Sequence, residues 1–423
     1  MKYPDYQICK KEIIFRTRDD LVNYESACRL ETVVLAAVAK KDHALVSDKY
    51  FPEAEREFNR IFASGVYRQD QSLPVFLRNQ TAGHVYTRCL SHMVQSFEQS
   101  KHHAQAVSVL RNLIDQDTYC LSYKGKWFER LVIDVEKHLK QPGEALSLLR
   151  RSMNDQAVVL SFRYNLYVRG KKAAKSGKIK FPEIEEFDVE KCKEKVIEST
   201  TLNKPIQGRR AIFVAKGVAN DSICLPVESV AMNHYLSDEG FTRGLHSESL
   251  VYHALFSILL WQQIYAQLDD AFRTDHQTLP LDFVHEDFYR RRKDQLDKRF
   301  DQIRRMNDAQ VSVEIDKIWN EKFGTQCLIR WNELQLQDVK ELAFCFGVDV
   351  LVAIMQRLCS NFRFNRSGFP DLILWNAEEK RVKAVEVKGP GDSLSGKQIL
   401  WLDYFKSCGL DAEVCYVKVA RNS

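Results

Sequence analysis

The sequence predicts an α+β protein of more than one domain, with a mostly helical N-terminal half and a C-terminal domain that mixes strands and helices. Three observations carry this. Apolar residues recur at helical spacing through the first half of the chain. One short segment, Ala106–Arg111, recurs as Ala145–Arg150, as expected of stacked helix pairs. Near the C-terminus the pattern turns to strand, strand, helix, strand, over Leu372–Trp375, Arg381–Lys388, Lys397–Phe405 and Ala412–Val417.

In the first sixty residues Leu21, Tyr24, Ala27, Leu30, Val33 and Leu35 form the expected apolar stripe of a helix. Between the two copies of the repeated segment lies another helical pattern, Trp127–Leu131. The echo fits tetratricopeptide-like (TPR-like) helix pairs, and a generic helical bundle fits it as well. Gly170–Lys180 then holds five lysines and no acid. It reads as an exposed basic loop able to touch phosphates, with a solvated linker or a targeting signal as the plainer alternatives. Residues 190–245 mix short apolar runs with Gly and Pro, and are expected to form a strand-containing insert ahead of the C-terminal core.

Ser247-Glu248 is expected to open the apolar helix through Leu250, Leu255 and Trp261, with serine as N-cap and glutamate at the positive end of the helix dipole. The charge-dense region from Tyr289 to Arg305 reads as a solvated helix face, and residues 336–362 as buried helices behind the C-terminal hairpin.

Composition sets outer bounds. A chain of 423 residues supports two or three domains with full cores. Hydrophobic content of 45% with 28% charge is that of a soluble globular protein. No uninterrupted apolar run reaches the length of a membrane span, and the residues after Met1 do not resemble a signal peptide. Eleven cysteines without a Cys-x-x-Cys pair indicate a reducing compartment and argue against a zinc finger. A net charge of +5 is mild, so any nucleic-acid partner must be argued from local patches.

The chemistry is concentrated in Pro370-Asp371 and Glu386-Val387-Lys388. Two β-rich runs flank the polar turn Asn376–Lys380 and predict an antiparallel hairpin. If Asn376 and Arg381 close the turn, Asp371 lies across from Glu386, with Cβ atoms about 5 Å apart on one face. The period of two places Lys388 on that same face. Two opposed carboxylates repel unless a cation sits between them. Two oxygen ligands and an ammonium can hold Mg²⁺ or Mn²⁺ and direct a water at a phosphodiester.

The stretch Arg363–Gln398 resembles the virus-type replication-repair nuclease (VRR-NUC) domain of the PD-(D/E)xK superfamily, whose restriction-endonuclease-like core has the order αβββαβ. The longer match, Phe362-Arg363 through Ser367–Asp371 and Glu386–Pro390, resembles the Fanconi-associated nuclease family, and the similarity extends over the helical half. The resemblance implies an N-terminal helical DNA-binding region at 1–100, a TPR-like region at 101–200 and a VRR-NUC domain at 201–423 with a helical insertion at about 268–360. It implies that Asp371, Glu386, the Val387 carbonyl and Glu248 hold one or two Mg²⁺ or Mn²⁺ ions, that Lys388 acts on water or developing charge, and that Gln398 supports the site.

It further implies structure-specific endonuclease and 5′-to-3′ exonuclease action on branched and 5′-flap DNA in interstrand-crosslink repair. A terminal 5′ phosphate would be held by Arg130, Arg363, Lys397 and, more weakly, Arg163. Related proteins place a histidine where this chain has Phe162, which puts the 5′-phosphate selectivity in question. A salt bridge to a neighbouring helix is the plain alternative for Arg130. Longer family members begin with a ubiquitin-binding zinc finger and a SAP-type region, for which this chain carries no pattern. The family suggests a nuclear location in a eukaryote and a cytoplasmic one otherwise. Its partners would include Fanconi-pathway or mismatch-repair proteins, with a possible DNA-dependent dimer and no membrane. Two other readings stay open: a Holliday-junction resolvase-like nuclease, and a non-catalytic helical-repeat scaffold.

Overall fold

The computed structural model describes residues 1–175, 187–200, 213–216 and 222–420. These fall into two compact units, one of Lys10–Phe187 and one of Met1–Cys9 with Asp188–Ser423.

The first unit is helical. Its principal helices are Arg18–Lys40, Phe51–Ala63, Ala82–Gln99, His103–Asp115, Lys124–Ile133, Pro142–Asn154 and Leu160–Lys175. The two copies of the repeated segment lie in His103–Asp115 and Pro142–Asn154, and each copy buries its alanine and the leucine four residues on, Ala106 with Leu110 and Ala145 with Leu149, in one shared core. The boundary expected near residue 100 falls inside this unit, between two helices that belong to the same core.

Thr17 caps the first helix through a reciprocal capping box with Asp20. The apolar stripe of that helix departs from expectation. Ala27, Leu30, Val34 and Ala37 are buried, whereas Leu21, Val33 and Leu35 are exposed. Spacings of three and four from Ala27 follow one face of a helix, and Val33 and Leu35 fall off it. The basic segment also differs from the expected loop. Gly170–Lys175 completes a helix, consistent with the strong helix propensity of Ala and Lys. The remainder of that segment, including Lys178 and Lys180, lies outside the described residues.

The second unit is built on a mixed five-stranded sheet. Its strands are β1 (Lys193–Ser199), β4 (Arg243–His246), β5 (Leu372–Asn376), β6 (Arg381–Lys388) and β7 (Asp411–Val419), while β2 (Phe213–Lys216) and β3 (Ser222–Leu225) form a separate antiparallel pair. The order in the sheet is β1-β7-β6-β5-β4. Strands β4, β5 and β6 are antiparallel, and β6, β7 and β1 are parallel. The helix Val227–Asp238, then β4, β5, β6, the helix Gly396–Ser407 and β7 reproduce the order αβββαβ.

Strand β5 is buried along its whole length. Leu372, Leu374, Val385 and Val387 pack on one face with Ala231 and Tyr235, and Ile373, Trp375 and Ala384 pack on the other with Trp401 and Phe405. Two strands of the region expected to be a separate insert are therefore sheet members. β1 pairs with β7, and β4 with β5, contacts too distant in sequence for local pattern to show.

A helical segment lies between β4 and β5. Leu336–Ser360 is long and apolar enough to cross a bilayer. It breaks at Gly347, with φ 72° and ψ 162°, and its apolar side chains enter the core. The charge-dense helix Asp287–Arg304 is not simply a solvated face either. Arg292 is 1% exposed and holds Asp282 with both terminal nitrogens, at 2.7 and 3.2 Å. Arg299 donates to the Leu259 carbonyl at 2.9 Å. Buried guanidinium groups are tolerated where each donor finds a carboxylate or carbonyl.

Candidate active site

The β5–β6 hairpin has the register that the turn implied, with Asn376 opposite Arg381 and Leu372 opposite Val385. Asp371 and Glu386 are the next opposed pair. Alternation puts Asp371, Glu386 and Lys388 on the sheet face that carries Ile373 and Ala384. The motif is anchored just upstream, where Phe369 stacks between Tyr252 and Trp401 with ring centroids 4.4 and 4.0 Å away. Gly368, at φ 93°, passes so close to Lys397 that an added Cβ would sit 2.7 Å from the lysine Cβ. Only glycine suits both the conformation and that approach.

Glu386 is fully buried. One of its oxygens meets the Lys388 ammonium at 2.8 Å and the Gln398 side-chain amide. Its other oxygen, Oε2, is buried without a hydrogen-bond partner. Burial first, and then the Asp371 charge, push the Glu386 carboxyl up to about 8. Asp371 is raised as well, mainly by burial, although it accepts a 2.8 Å hydrogen bond from the Val387 backbone. Glu228, at the start of the helix Val227–Asp238, adds to that rise, and Lys388 and His246 oppose it.

An orphaned buried carboxylate oxygen is costly, and a divalent cation beside it would supply the missing partner. The carboxylates and carbonyls here are hard oxygen donors of the kind Mg²⁺ and Mn²⁺ take. The residues present fit such an ion.

Glu248 joins this centre by an unexpected route. The helix begins at Leu250, not at Ser247. Glu248 precedes it in a left-handed conformation at φ 42°, held by backbone hydrogen bonds from Ser247 and Glu248 to the Asp371 carbonyl at 2.9 and 3.2 Å. Ser247 still caps, since its hydroxyl accepts from the Val251 backbone at 3.2 Å. In this turn ligand atoms of Glu248, Asp371 and His246 lie within 4.8 Å of one another. In the sequence His246 is only a near neighbour of Glu248, and its place at the end of β4, beside β5, is what brings it to Asp371.

Gln398 does two jobs. Its side chain accepts from the Ser395 backbone at 2.8 Å, while Ser395 accepts from the Gln398 backbone at 3.3 Å. This capping box starts the helix Gly396–Ser407, and the same side chain reaches Glu386 and Lys388.

Arg363 and Lys397 lie in this unit. Arg363 is partly buried and donates to the Val284 carbonyl at 3.3 Å. Lys397 donates to the Ser367 hydroxyl at 3.2 Å, and burial, with Arg366 next to it, holds its pKa below the usual lysine value. A desolvated ammonium beside a second cation is suited to an anion. Arg366 was not singled out in the sequence, although three residues after Arg363 is the spacing that shares a helical face.

Arg130 and Arg163 lie in the helical unit and are occupied there. Arg130 holds Glu98 in a two-pronged ion pair, Nε–Oε1 2.8 Å and Nη2–Oε2 2.6 Å. The plain alternative for Arg130 is thus present. Arg163 donates to the Asp155 carbonyl at 2.9 Å. Phe162 packs against Gly125, where an added Cβ would lie 2.3 Å from the ring.

The αβββαβ core, with an acidic pair and a lysine at the adjoining ends of β5 and β6, defines a PD-(D/E)xK nuclease-type domain. Family models agree in both halves: the VRR-NUC domain matches residues 306–419, and the Fanconi-associated nuclease 1 TPR domain matches 20–174. The chain is 32% identical over 428 residues to Fanconi-associated nuclease 1 of Mus musculus, covering 99% of this chain and 42% of that protein. For the Homo sapiens protein the figures are 32% over 429 residues, with 99% and 42% covered. The Caenorhabditis elegans homolog is 29% identical over 421 residues, with 97% and 48% covered. The solved structure of paFAN1 bound to 5′-flap DNA with a two-nucleotide flap and a gap superposes with a TM-score of 0.63 at 20% identity, covering 88% of this chain and 62% of that one. The chain is similar to Fanconi-associated nucleases over nearly its whole length. It spans less than half the length of these curated relatives.

Proposed function

We propose that this chain is a metal-dependent, structure-specific DNA nuclease that cuts 5′-flap and branched DNA by phosphodiester hydrolysis, with 5′-to-3′ exonuclease action, in interstrand-crosslink repair. The observation that carries this is the assembled set Asp371, Glu386 and Lys388 around a buried, unpartnered carboxylate oxygen. The similarity to Fanconi-associated nucleases supports the substrate class, and the paFAN1 complex shows a protein of the same fold holding 5′-flap DNA.

Asp371, Glu386 and Glu248 would hold Mg²⁺ or Mn²⁺, with His246 and the Val387 carbonyl as further donors. Such an ion, when bound, supplies an acidified water and charge relief on the phosphate. The chain's own groups do the rest. Lys388 orients the attacking water and offsets charge on the phosphate oxygens. Gln398 holds the Glu386 carboxylate and the Lys388 ammonium in register. Arg363 and Lys397, with Arg366, would draw a 5′ phosphate within their own unit, and Arg130 and Arg163 are separate phosphate-binding candidates of the helical unit. In this reading the helical unit Lys10–Phe187 binds DNA and the unit that carries the sheet cuts it. A nuclear location, a DNA-dependent dimer and repair partners are part of the same proposal.

The test is cleavage of a labelled 5′-flap duplex, with and without its 5′ phosphate, in Mg²⁺, Mn²⁺ or EDTA. Cleavage in either metal, lost in EDTA and in Asp371→Ala or Lys388→Ala, is expected. Variants cutting at the wild-type rate refute the assignment of the centre. Preferential cutting of a mobile four-way junction would favour the Holliday-junction reading instead, and absence of specific divalent-metal binding by calorimetry the scaffold.

A further inference from the structure

The helical unit holds a second cluster of metal-ligating side chains, remote in sequence from the nuclease motif. His103 stands at the start of the helix His103–Asp115, and Asp134 and His138 bracket a single turn of π-helix, Asp134–His138. That wider turn is rare and is found most often where function requires it. It brings Asp134 and His138 to one face, opposite His103. Ligand atoms of the three residues lie within 4.8 Å of one another.

The carboxylate at the centre is the independent sign. Asp134 is 0% exposed. Its Oδ1 lies 3.1 Å from His103 Nδ1, and its Oδ2 is buried with no hydrogen-bond partner. A charge in that position lacks half of its compensation. The His103 and His138 rings stack in parallel, centroids 3.6 Å apart at 6°. His138 is exposed, so its ring can turn about Cβ–Cγ to aim a lone pair at a shared ion. His103 and His138 edge a cavity of about 650 Å³ that His92, Lys101, Lys126 and Arg130 also line. Glu98 lies close enough to Asp134 for that charge to add to the rise in its own pKa, after burial. Arg130 holds both oxygens of Glu98, so water is the natural fourth donor.

We propose that His103, Asp134 and His138 form a binding site for a borderline-soft divalent metal of the Zn²⁺ or Co²⁺ kind, pinning the two helical segments together. Two imidazoles and one carboxylate leave a fourth position open, which is a recurrent Zn²⁺ arrangement. The donor chemistry separates this site from the nuclease centre, whose carboxylates and carbonyls favour Mg²⁺ and Mn²⁺. The proposal does not depend on the nuclease reading.

The experiment titrates Co²⁺ into the full chain carrying Asp371→Ala, which weakens the competing centre, and follows the visible d–d absorption of the bound ion. One equivalent of Co²⁺ with tetrahedral band intensity, displaced by Zn²⁺, is expected. His103→Ala, His138→Ala and Asp134→Asn should each weaken binding by more than about tenfold. His138 is exposed, so its variant keeps the fold, checked by circular dichroism, and remains decisive should the buried Asp134 variant fail to fold. Three outcomes overturn the proposal: no visible band, undiminished binding by His138→Ala, or near-ultraviolet thiolate charge-transfer bands that assign the ion to cysteines.

Discussion

Glu386→Gln should make the metal-free protein more stable at neutral pH while removing its cleavage activity. The wild-type carboxyl is raised from 4.5 to about 8 by burial and by Asp371. A raised carboxyl pKa means that the folded state binds the proton more tightly than the unfolded state, so stability falls as pH rises from 4.5 to 8. Each pH unit across that window costs about 1.4 kcal/mol, so the penalty at pH 7.5 is about 4 kcal/mol. The glutamine removes that penalty. Its amide oxygen can keep the contacts with Lys388 and Gln398 that Oε1 now makes. Its NH₂ then occupies the place of the unpartnered Oε2 and costs about 1–3 kcal/mol as a buried donor without an acceptor.

The balance is a gain of about 2 kcal/mol at pH 7.5, or about 5 °C in the Tm of the nuclease unit. At pH 5 the penalty removed is below about 1 kcal/mol, so the gain should vanish or reverse. Differential scanning calorimetry in EDTA at the two pH values measures this directly. Adding millimolar Mg²⁺ should raise the wild-type Tm and leave the variant unmoved. A lower Tm for the variant at pH 7.5, or an equal difference at both pH values, refutes the reasoning.

Ser395→Ala should cost about 1 kcal/mol through loss of the N-cap and, by loosening the first turn that positions Gln398, lower turnover several-fold with little change in KM. Gly368→Ala should cost about 1–3 kcal/mol from the left-handed strain and the contact with Lys397. It should also slow cutting of a 5′-phosphorylated flap more than cutting of an unphosphorylated one, read as a ratio of initial rates. Asp282→Ala removes the carboxylate that buried Arg292 holds with both terminal nitrogens. A loss of about 3–5 kcal/mol is expected, measured by urea unfolding, with Asp282→Asn recovering part of it.

The hairpin was legible in the sequence because its determinants are local. A five-residue polar turn fixes the register, and the period of two then decides which side chains share a face. Asp371, Glu386 and Lys388 follow from that. Glu248 was legible as a residue to watch but not as a conformation, because its left-handed turn is held by the Asp371 carbonyl, which is far away in sequence. His246 becomes a neighbour of Asp371 only once β4 pairs with β5. Arg130 shows the opposite case. Its guanidinium could be matched to a phosphate on paper, but its Glu98 partner sits two helices earlier, and only the packed helices bring the two together. The burial of Arg292 had no local signal either, since charge-rich helices usually face water.

The Gln398 side chain has a consequence for the order in which the centre is built. The turn and the β5–β6 pairing need only the chain up to Lys388, yet Glu386 would then lack the amide that steadies it. The first turn of the helix Gly396–Ser407 therefore works as a latch. Until the Ser395 box closes, the two carboxylates stand without their clamp, and the proposed centre stays disarmed. Fraying of that one turn in the finished protein would disarm it again, without any movement of the sheet.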